Sequence, residues 1–442
     1  MAMTSCLIRS TVVGSLGGIL FGFDTAVIAG TTQQLTTVYG LTPFSLGLTV
    51  FVGLVGTVIG AMGAGVLGQR MGGREALRVM AVLYTVSAIG CAFAFNWPML
   101  IVFRLIGGLG IGGSSVLGPV YIAELAPAKW RGRMVGLFQI NVVAGVLLAY
   151  LSNYIITLFQ LGELQWRWQL GIAGAPSILF LVALFTIPSS SRWLASKNRS
   201  AEALDVLRMM GSPKPETELS EIQESIHFER GMAEEPLFKR KYRLAIMLAI
   251  AIGLFNQLAG INAVLYYSNF IFASAGFSQL SSAFQTVLIG AMNLSATLVG
   301  MSLIDKLGRK TLLLIGSVGM ILCLSGVSAI FFVHTHLNLL VWLLVSYIAF
   351  FSISQGAVIW VYLAEIFPTR VRAKGQSLGS SAHWIMNAII SLLFPVIAKY
   401  STGLPFAFFA GMMLLQFFVV LLFFPETKGV TLEQLQKRLG MA

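Results

Sequence analysis

Apolar stretches of bilayer length, separated by short polar or charged breaks, run the whole length of the chain. They fall at 8–30, 45–68, 77–95, 98–123, 134–158, 169–187, 244–273, 281–304, 311–333, 338–364, 376–398 and 404–424. Each is close to the roughly 20 apolar residues that a hydrocarbon core requires, and together they predict twelve transmembrane helices. Only 189–243 breaks the rhythm. It is polar, holds most of the acidic residues, and reads as short amphipathic helices at 201–210 and 219–228 lying on a membrane face. The expected fold is therefore all-α and membrane-integral. It comprises a six-helix bundle over 1–188, a helical linker over 189–243, a second six-helix bundle over 244–425 and a tail over 426–442. The first apolar run is span-length and lacks a cleavage motif, so it reads as the first span and not as a removable signal.

The seventh run departs from its apolar surroundings. Residues 255–269 read FNQLAGINAVLYYSN, placing Asn256, Gln257, Asn262, Tyr266, Tyr267 and Asn269 where hydrocarbon is expected. An amide in hydrocarbon is costly unless it meets a partner or faces a watery cavity. The plain alternative is hydrogen bonding between neighbouring helices. At 100° per residue, Asn256, Gly260 and Tyr267 share one face with Gln257 at its edge, whereas Asn262, Tyr266 and Asn269 lie on the other side. One regular helix cannot aim Gln257 and Asn262 at the same ligand. Ala259 and Gly260 offer the place to unwind, so span seven is expected to be distorted there, with its outer half as a moving gate.

Charge adds orientation. Of the 29 Lys and Arg residues, all but Arg104, Arg167 and Lys399 fall in segments on one side of the predicted spans. By the positive-inside rule that side is cytoplasmic, and with it both termini and the linker. The formal charge of +12 is then topological and no nucleic-acid footprint. A composition of 57% hydrophobic and 10% charged residues excludes an ordinary soluble domain. The three cysteines make neither a disulfide framework nor a metal pattern. No nucleophile–base pair or phosphate cradle appears in any loop, so an enzyme is not expected, nor a cofactor or metal. The glycines of 108–113 formally fit a dinucleotide fingerprint, but they follow no strand and serve close helix packing better.

The two halves repeat one another. YIAELAPAKWR at 121–131 matches YLAEIFPTRVR at 362–372, and RMGGR at 70–74 corresponds to KLGRK at 306–310. Parallel six-span repeats describe a major facilitator transporter. More specific pieces are GFDT at 22–25, RLIGGLG at 104–110, Gln139, QLAGIN at 257–262 followed by Tyr266 and Tyr267, and PETKG at 425–429. With these, the chain resembles the sugar porter family of the major facilitator superfamily, nearly end to end. That family includes bacterial xylose–proton symporters and animal glucose facilitators.

The resemblance implies a sugar site made of Gln139, Asn256, Gln257, Asn262, Asn293, Trp360, His383 and Trp384, with Phe21 and Tyr266 closing its outer side. The chemistry of these residues agrees in kind. A side-chain amide offers both a donor and an acceptor to a sugar hydroxyl, and an indole offers a flat apolar wall to the C–H face of the ring. Asp24 is a lone carboxylate in span one, where an ionised group costs about 2.5–3.5 kcal/mol on insertion scales. Arg104 enters span four from the same side, so the two could meet. A carboxylate whose pKa depends on a movable arginine is a proton switch. Passive sugar porters commonly have Asn at this position, and proton-coupled ones Asp. Glu124, Arg131, Arg192, Asp305, Arg309, Glu365, Arg372 and Glu426 form two copies of one charge pattern at the cytoplasmic helix ends, and are expected to act as an inner gate.

The chain departs from the family in several places. Gln69 replaces an Asp, Gly73 an Arg, and Ser189–Ser191 a Glu-Ser-Pro, all of which weaken the charge pattern of the first half. Asn256 stands where Gln is usual. His383 stands where bacterial members have Gln, and adds a group that titrates near neutrality. Val146 replaces a second amide of span five, which leans the pocket toward a hexose over a pentose. The reading is a proton-coupled monosaccharide symporter working by alternating access, active as a monomer in the plasma (inner) membrane, with sugar, proton and lipid bilayer as its partners. The alternatives are a facilitative uniporter and a transporter-like sugar sensor. A sensor is disfavoured because so little chain follows Pro425.

Overall fold

A computed structural model of the chain describes residues 4–127, 130–231, 235–368, 370–430, 434–435 and 439. The rest of the expected tail lies outside the described residues. Among the described residues every regular element is helical. In order these are α1 (Ser5–Val27), α2 (Thr32–Tyr39), α3 (Pro43–Met71), α4 (Gly73–Ala92), α5 (Trp97–Leu125), α6 (Arg131–Leu158), α7 (Gln165–Gly171), α8 (Gly174–Ala183), α9 (Ser191–Ser196), α10 (Ser200–Met209) and α11 (Pro215–Gly231). There follow α12 (Arg243–Leu258), α13 (Ile261–Ser274), α14 (Gln279–Leu307), α15 (Arg309–Val333), α16 (Asn338–Phe351), α17 (Ala357–Glu365), α18 (Arg372–Ala398) and α19 (Gly403–Phe423). The chain divides into two compact units. One holds Met1–Thr31, Val52–Ser152 and Gln160–Ala233; the other holds Thr32–Phe51, Asn153–Phe159 and Glu234–Ala442.

Among the described residues, eleven of the predicted spans are helical stretches long and apolar enough to cross a bilayer. The sixth is not one helix. It is made of α7 and α8, with Gly171, Gly174 and Pro176 at the junction. Pro176 has no N–H to continue the ladder, and the bonds there tighten: Ala175 N donates to the Ile172 carbonyl at 3.1 Å, a three-residue step. The linker differs too. It carries three helices (α9, α10 and α11) instead of two. Ser190 caps the first of them, its hydroxyl accepting from Trp193 N at 3.2 Å.

In the first unit, α5 packs on α1 and α4 at close range. Glycines bring α5 against α4, where a Cβ on Gly113 would run into Met80, and also against α3. A Cβ placed on Gly108 would land on the Gly53 carbonyl, and one on Gly112 on the Thr57 carbonyl, both of α3. The glycine run of 108–113 is thus a packing surface, as expected. In the second unit α12 packs on α18, and α15 on α19 and α16.

Span seven breaks where the sequence predicted. Gly260 has φ +85°, a left-handed conformation, and separates α12 from α13. Its N–H turns back to the Gln257 carbonyl at 2.8 Å. The Ala259 carbonyl is taken by the Tyr347 hydroxyl of α16, also at 2.8 Å, so the break leaves this buried acceptor satisfied. Two further irregularities have no counterpart in the sequence pattern. Tyr267 has non-helical angles within α13, and Ser352–Gly356 forms a π-turn between α16 and α17.

Candidate functional site

In the second unit the break at Gly260 brings the two amide faces of span seven together. Asn262 Nδ2 donates to Gln257 Oε1 at 2.9 Å. Gln257 Nε2 donates to Asn256 Oδ1 at 3.1 Å and lies 3.2 Å from the ring nitrogens of His383 on α18. Asn256 Nδ2 reaches the Gln355 carbonyl at 3.4 Å. The His383 ring stands between two indoles, its centroid 5.3 Å from Trp360 and 5.0 Å from Trp384. Asn256, Gln257 and His383 are buried, Asn262 and Trp384 half-buried, and Trp360 exposed. Six of the predicted residues therefore form one polar cluster walled by aromatic faces.

The other predicted residues stand outside that direct network. Tyr266 is buried and accepts from Asn387 Nδ2 at 3.2 Å. Asn293 is held by the Ser352 hydroxyl of the π-turn, which donates to its Oδ1 at 2.9 Å. In the first unit Phe21 packs half-buried against the hydrophobic core, and Gln139 is half-buried on α6. Sequence reasoning missed Asn387, Ser352 and Gln355. Each partners its amide or phenol across 59–121 residues of chain, and no local pattern announces such a pairing.

Also in the first unit, Asp24 of α1 meets Arg104 of α5. Arg104 Nη1 lies 3.4 Å from Asp24 Oδ2, and both side chains are buried. The pairing is one-pointed and long, and the buried Arg104 Nε has no hydrogen-bond partner. Gly53 makes room for it: a Cβ there would crowd Arg104 Nη2 at 3.3 Å.

The charges at the helix ends differ between the units. In the second, Arg309 binds Glu365 through two bonds, Nη2 to Oε1 at 2.8 Å and Nε to Oε2 at 3.2 Å, and its Nη1 reaches Asp305 at 3.0 Å. Glu426 caps the start of α15, accepting from the backbone N–H of Arg309 at 2.9 Å and of Lys310 at 3.0 Å. Burial pushes the Glu426 carboxyl up, but the backbone N–H groups of Lys428, Arg309, Lys310 and Thr427 outweigh this and hold it below the usual range. Arg372 donates to the Phe367 carbonyl at 3.3 Å. In the first unit, Arg74 and Arg78 turn to Glu75, a partner that the repeated charge pattern does not include. Glu124 interacts with Ser190 and Arg192, and Arg131 is exposed. Aromatic groups lie beside Gln69 and Gly73. Trp193 Nε1 donates to the Gln69 carbonyl at 3.1 Å, and the Tyr121 hydroxyl to that of Pro188 at 2.7 Å.

Twelve spans, buried amides bonded to an imidazole that lies beside two indoles, and a buried carboxylate on a single arginine contact suit a membrane transporter. The chain belongs to the "Sugar (and other) transporter" family, which it matches over residues 10–439. It is 34% identical to the D-xylose-proton symporter of Escherichia coli (strain K12), covering 98% of this chain and 96% of that protein. It is likewise 34% identical to the glucose transporter GlcP of Staphylococcus epidermidis, covering 97% and 96%. The solved inward-open conformation of the xylose transporter XylE from E. coli superposes with a TM-score of 0.87 at 33% identity, over 98% of this chain and 99% of that one. The protein is a multi-pass membrane transporter and not an enzyme.

Proposed function

We propose that the protein imports a monosaccharide together with a proton by alternating access. The observation that carries this reading is the pair of buried clusters. The amide–imidazole–indole cluster around Gln257 has the donors, acceptors and flat walls that a neutral polyol needs. The Asp24–Arg104 contact has a geometry that a proton can break. Relatives named as proton symporters of xylose and arabinose and as glucose transporters support both halves of the reading. Gln139, Phe21, Tyr266 and Asn293 are assigned to the same sugar site. Asn256, Gln257, Asn262, Trp360, His383 and Trp384 form its centre. Absence of a second span-five amide at Val146 favours a hexose over a pentose. Glu124, Arg131, Arg192, Asp305, Arg309, Glu365, Arg372 and Glu426 are assigned to the inner gate.

Purified protein in liposomes, given labelled glucose and labelled xylose in parallel, tests the substrate class. Saturable uptake of glucose at lower concentration than xylose is expected; uptake of neither would end the sugar reading. The one-sided distribution of basic residues supports cytoplasmic termini in the plasma membrane. An impermeant maleimide added outside cells should label Lys399→Cys and spare Lys310→Cys, and the reverse pattern would invert the topology. One chain supplies both repeats, so the proposed working unit is the monomer; a two-chain mass in detergent would contradict it.

A further inference from the structure

Span ten carries an irregularity that the sugar-binding residues alone do not explain. Ser352–Gly356 winds as a π-turn although no proline lies in Asn338–Glu365 and Gly356 has a helical φ of −61°. Wide turns of this kind need an outside cause and recur at functional sites. Here the surroundings supply the cause. Gly316 of α15 opens a gap that the Ser354 side chain fills, and Gly300 of α14 lets the backbone at Ser352 and Ile353 come close. A buried pair of amides holds the turn from the far side. Gln355 Nε2 donates to Gln416 Oε1 of α19 at 2.6 Å and touches the Met413 sulfur at 3.4 Å. Gln416 Nε2 in turn donates to the Ser317 hydroxyl of α15 at 3.1 Å, and that hydroxyl donates to the Leu313 carbonyl at 2.8 Å. Gln355 and Gln416 are 1% and 2% exposed.

The near side of the same turn faces the proposed sugar site. The Gln355 carbonyl receives Asn256 Nδ2, and the Ser352 hydroxyl orients Asn293. Resting on the sugar-site reading above, we propose that Gln416 is a positioning residue for sugar binding: through Gln355 it fixes the π-turn that aims Asn256 and Asn293. Neither Gln355 nor Gln416 need touch the sugar. Their bond lies in apolar surroundings, where water cannot replace it, so its loss leaves the Gln355 amide without its oxygen partner and frees the turn to relax.

Gln416→Met tests this. It keeps the length of the side chain and deletes both amide bonds, while Ser317 retains its own acceptor. The Michaelis constant for sugar should rise roughly ten-fold with the maximal rate nearly unchanged, the loss expected for one buried amide bond transmitted to a ligand. Gln355→Met removes the same bond from the other end and should give the same rise. In an Asn256→Ala, Asn293→Ala background, the Gln416→Met change should add less than about two-fold, because residues acting through one another are not additive. An unchanged Michaelis constant in either single variant overturns the proposal, as does a full ten-fold addition in the double background. Misfolding of both variants also counts against it, since the bond would then be structural. If the wild type takes up no sugar the site reading itself fails, whereas sugar uptake with unaffected variants sinks this inference alone.

Discussion

Two arginine–carboxylate contacts in the one chain differ in kind. Arg309 holds Glu365 through two bonds, 2.8 and 3.2 Å, and adds Asp305 at 3.0 Å. Arg104 holds Asp24 through one contact at 3.4 Å, with its Nε unpartnered. Forked pairing is the stronger and more specific form. On the proposed reading, a proton on Asp24 has one contact to displace, whereas the Arg309 set has three. At the proposed sugar site Gln257 is the hub, since three neighbours bond to its amide. Gln257→Ala should weaken sugar binding roughly ten- to hundred-fold, by removing one ligand contact and leaving buried partners unmatched. The concentration dependence of uptake measures it; an affinity within two-fold of wild type, as about 0.4 kcal/mol or less would give, excludes Gln257 from the site.

At the scale of elements, the break of span seven was legible and that of span ten was not. The amide faces of 255–269 conflict on a regular helix, and one glycine sits between them. Both the need for a break and its position are therefore readable from residue order alone. Gly260→Ala should be severely damaging: a left-handed alanine costs about 1–2 kcal/mol, and the new methyl would run into the Phe409 ring. Reduced melting temperature with lost uptake is the expected outcome, and a fully active variant would show that the break is dispensable. The turn at Ser352–Gly356 has no comparable signal. It arises from Gly300, Gly316 and Gln416, residues 36–64 positions away, whose proximity only the folded bundle reveals. The sixth span illustrates the same limit. Its apolar run was plain, but the consequence of Gly171, Gly174 and Pro176 for its ladder was not.

Glu426 belongs to this scale as well, because it joins the segment after α19 to the start of α15. Its folded pKa is lowered, so its contribution to stability is present above the unfolded value of 4.5 and is lost as pH falls below it. Glu426→Gln should lower the melting temperature at pH 7, and by less at pH 3.5, relative to wild type. Equal destabilisation at both values would mean that the carboxylate charge is not what matters.

For the whole molecule, the repeats account for the spacing of the sites and the departures for their inequality. The second half keeps the complete set of Arg309, Asp305, Glu365 and Glu426, with Arg372 bonded to the backbone beside it. The first half has Gln69 and Gly73 at the corresponding positions, with Trp193 and Tyr121 beside them. The twelve spans were readable from sequence, because each rests on composition over about 20 residues. Pairings such as Gln257 with His383 and Asp24 with Arg104 span 126 and 80 residues. Sequence could nominate those partners; only the folded chain measures them.

Coupling to a proton has a thermodynamic consequence that no passive carrier shares. A potential of 100 mV acting on one proton is worth about 2.3 kcal/mol, enough for roughly fifty-fold accumulation of sugar. The most direct measurement is sugar uptake into proteoliposomes under an imposed proton gradient, for wild type and Asp24→Asn side by side. Wild type should accumulate sugar above equilibrium, and Asp24→Asn should still exchange sugar but reach only the outside concentration. Wild-type uptake that stops at equilibrium while exchange persists would contradict proton coupling, and loss of both exchange and accumulation in Asp24→Asn would make Asp24 a structural residue.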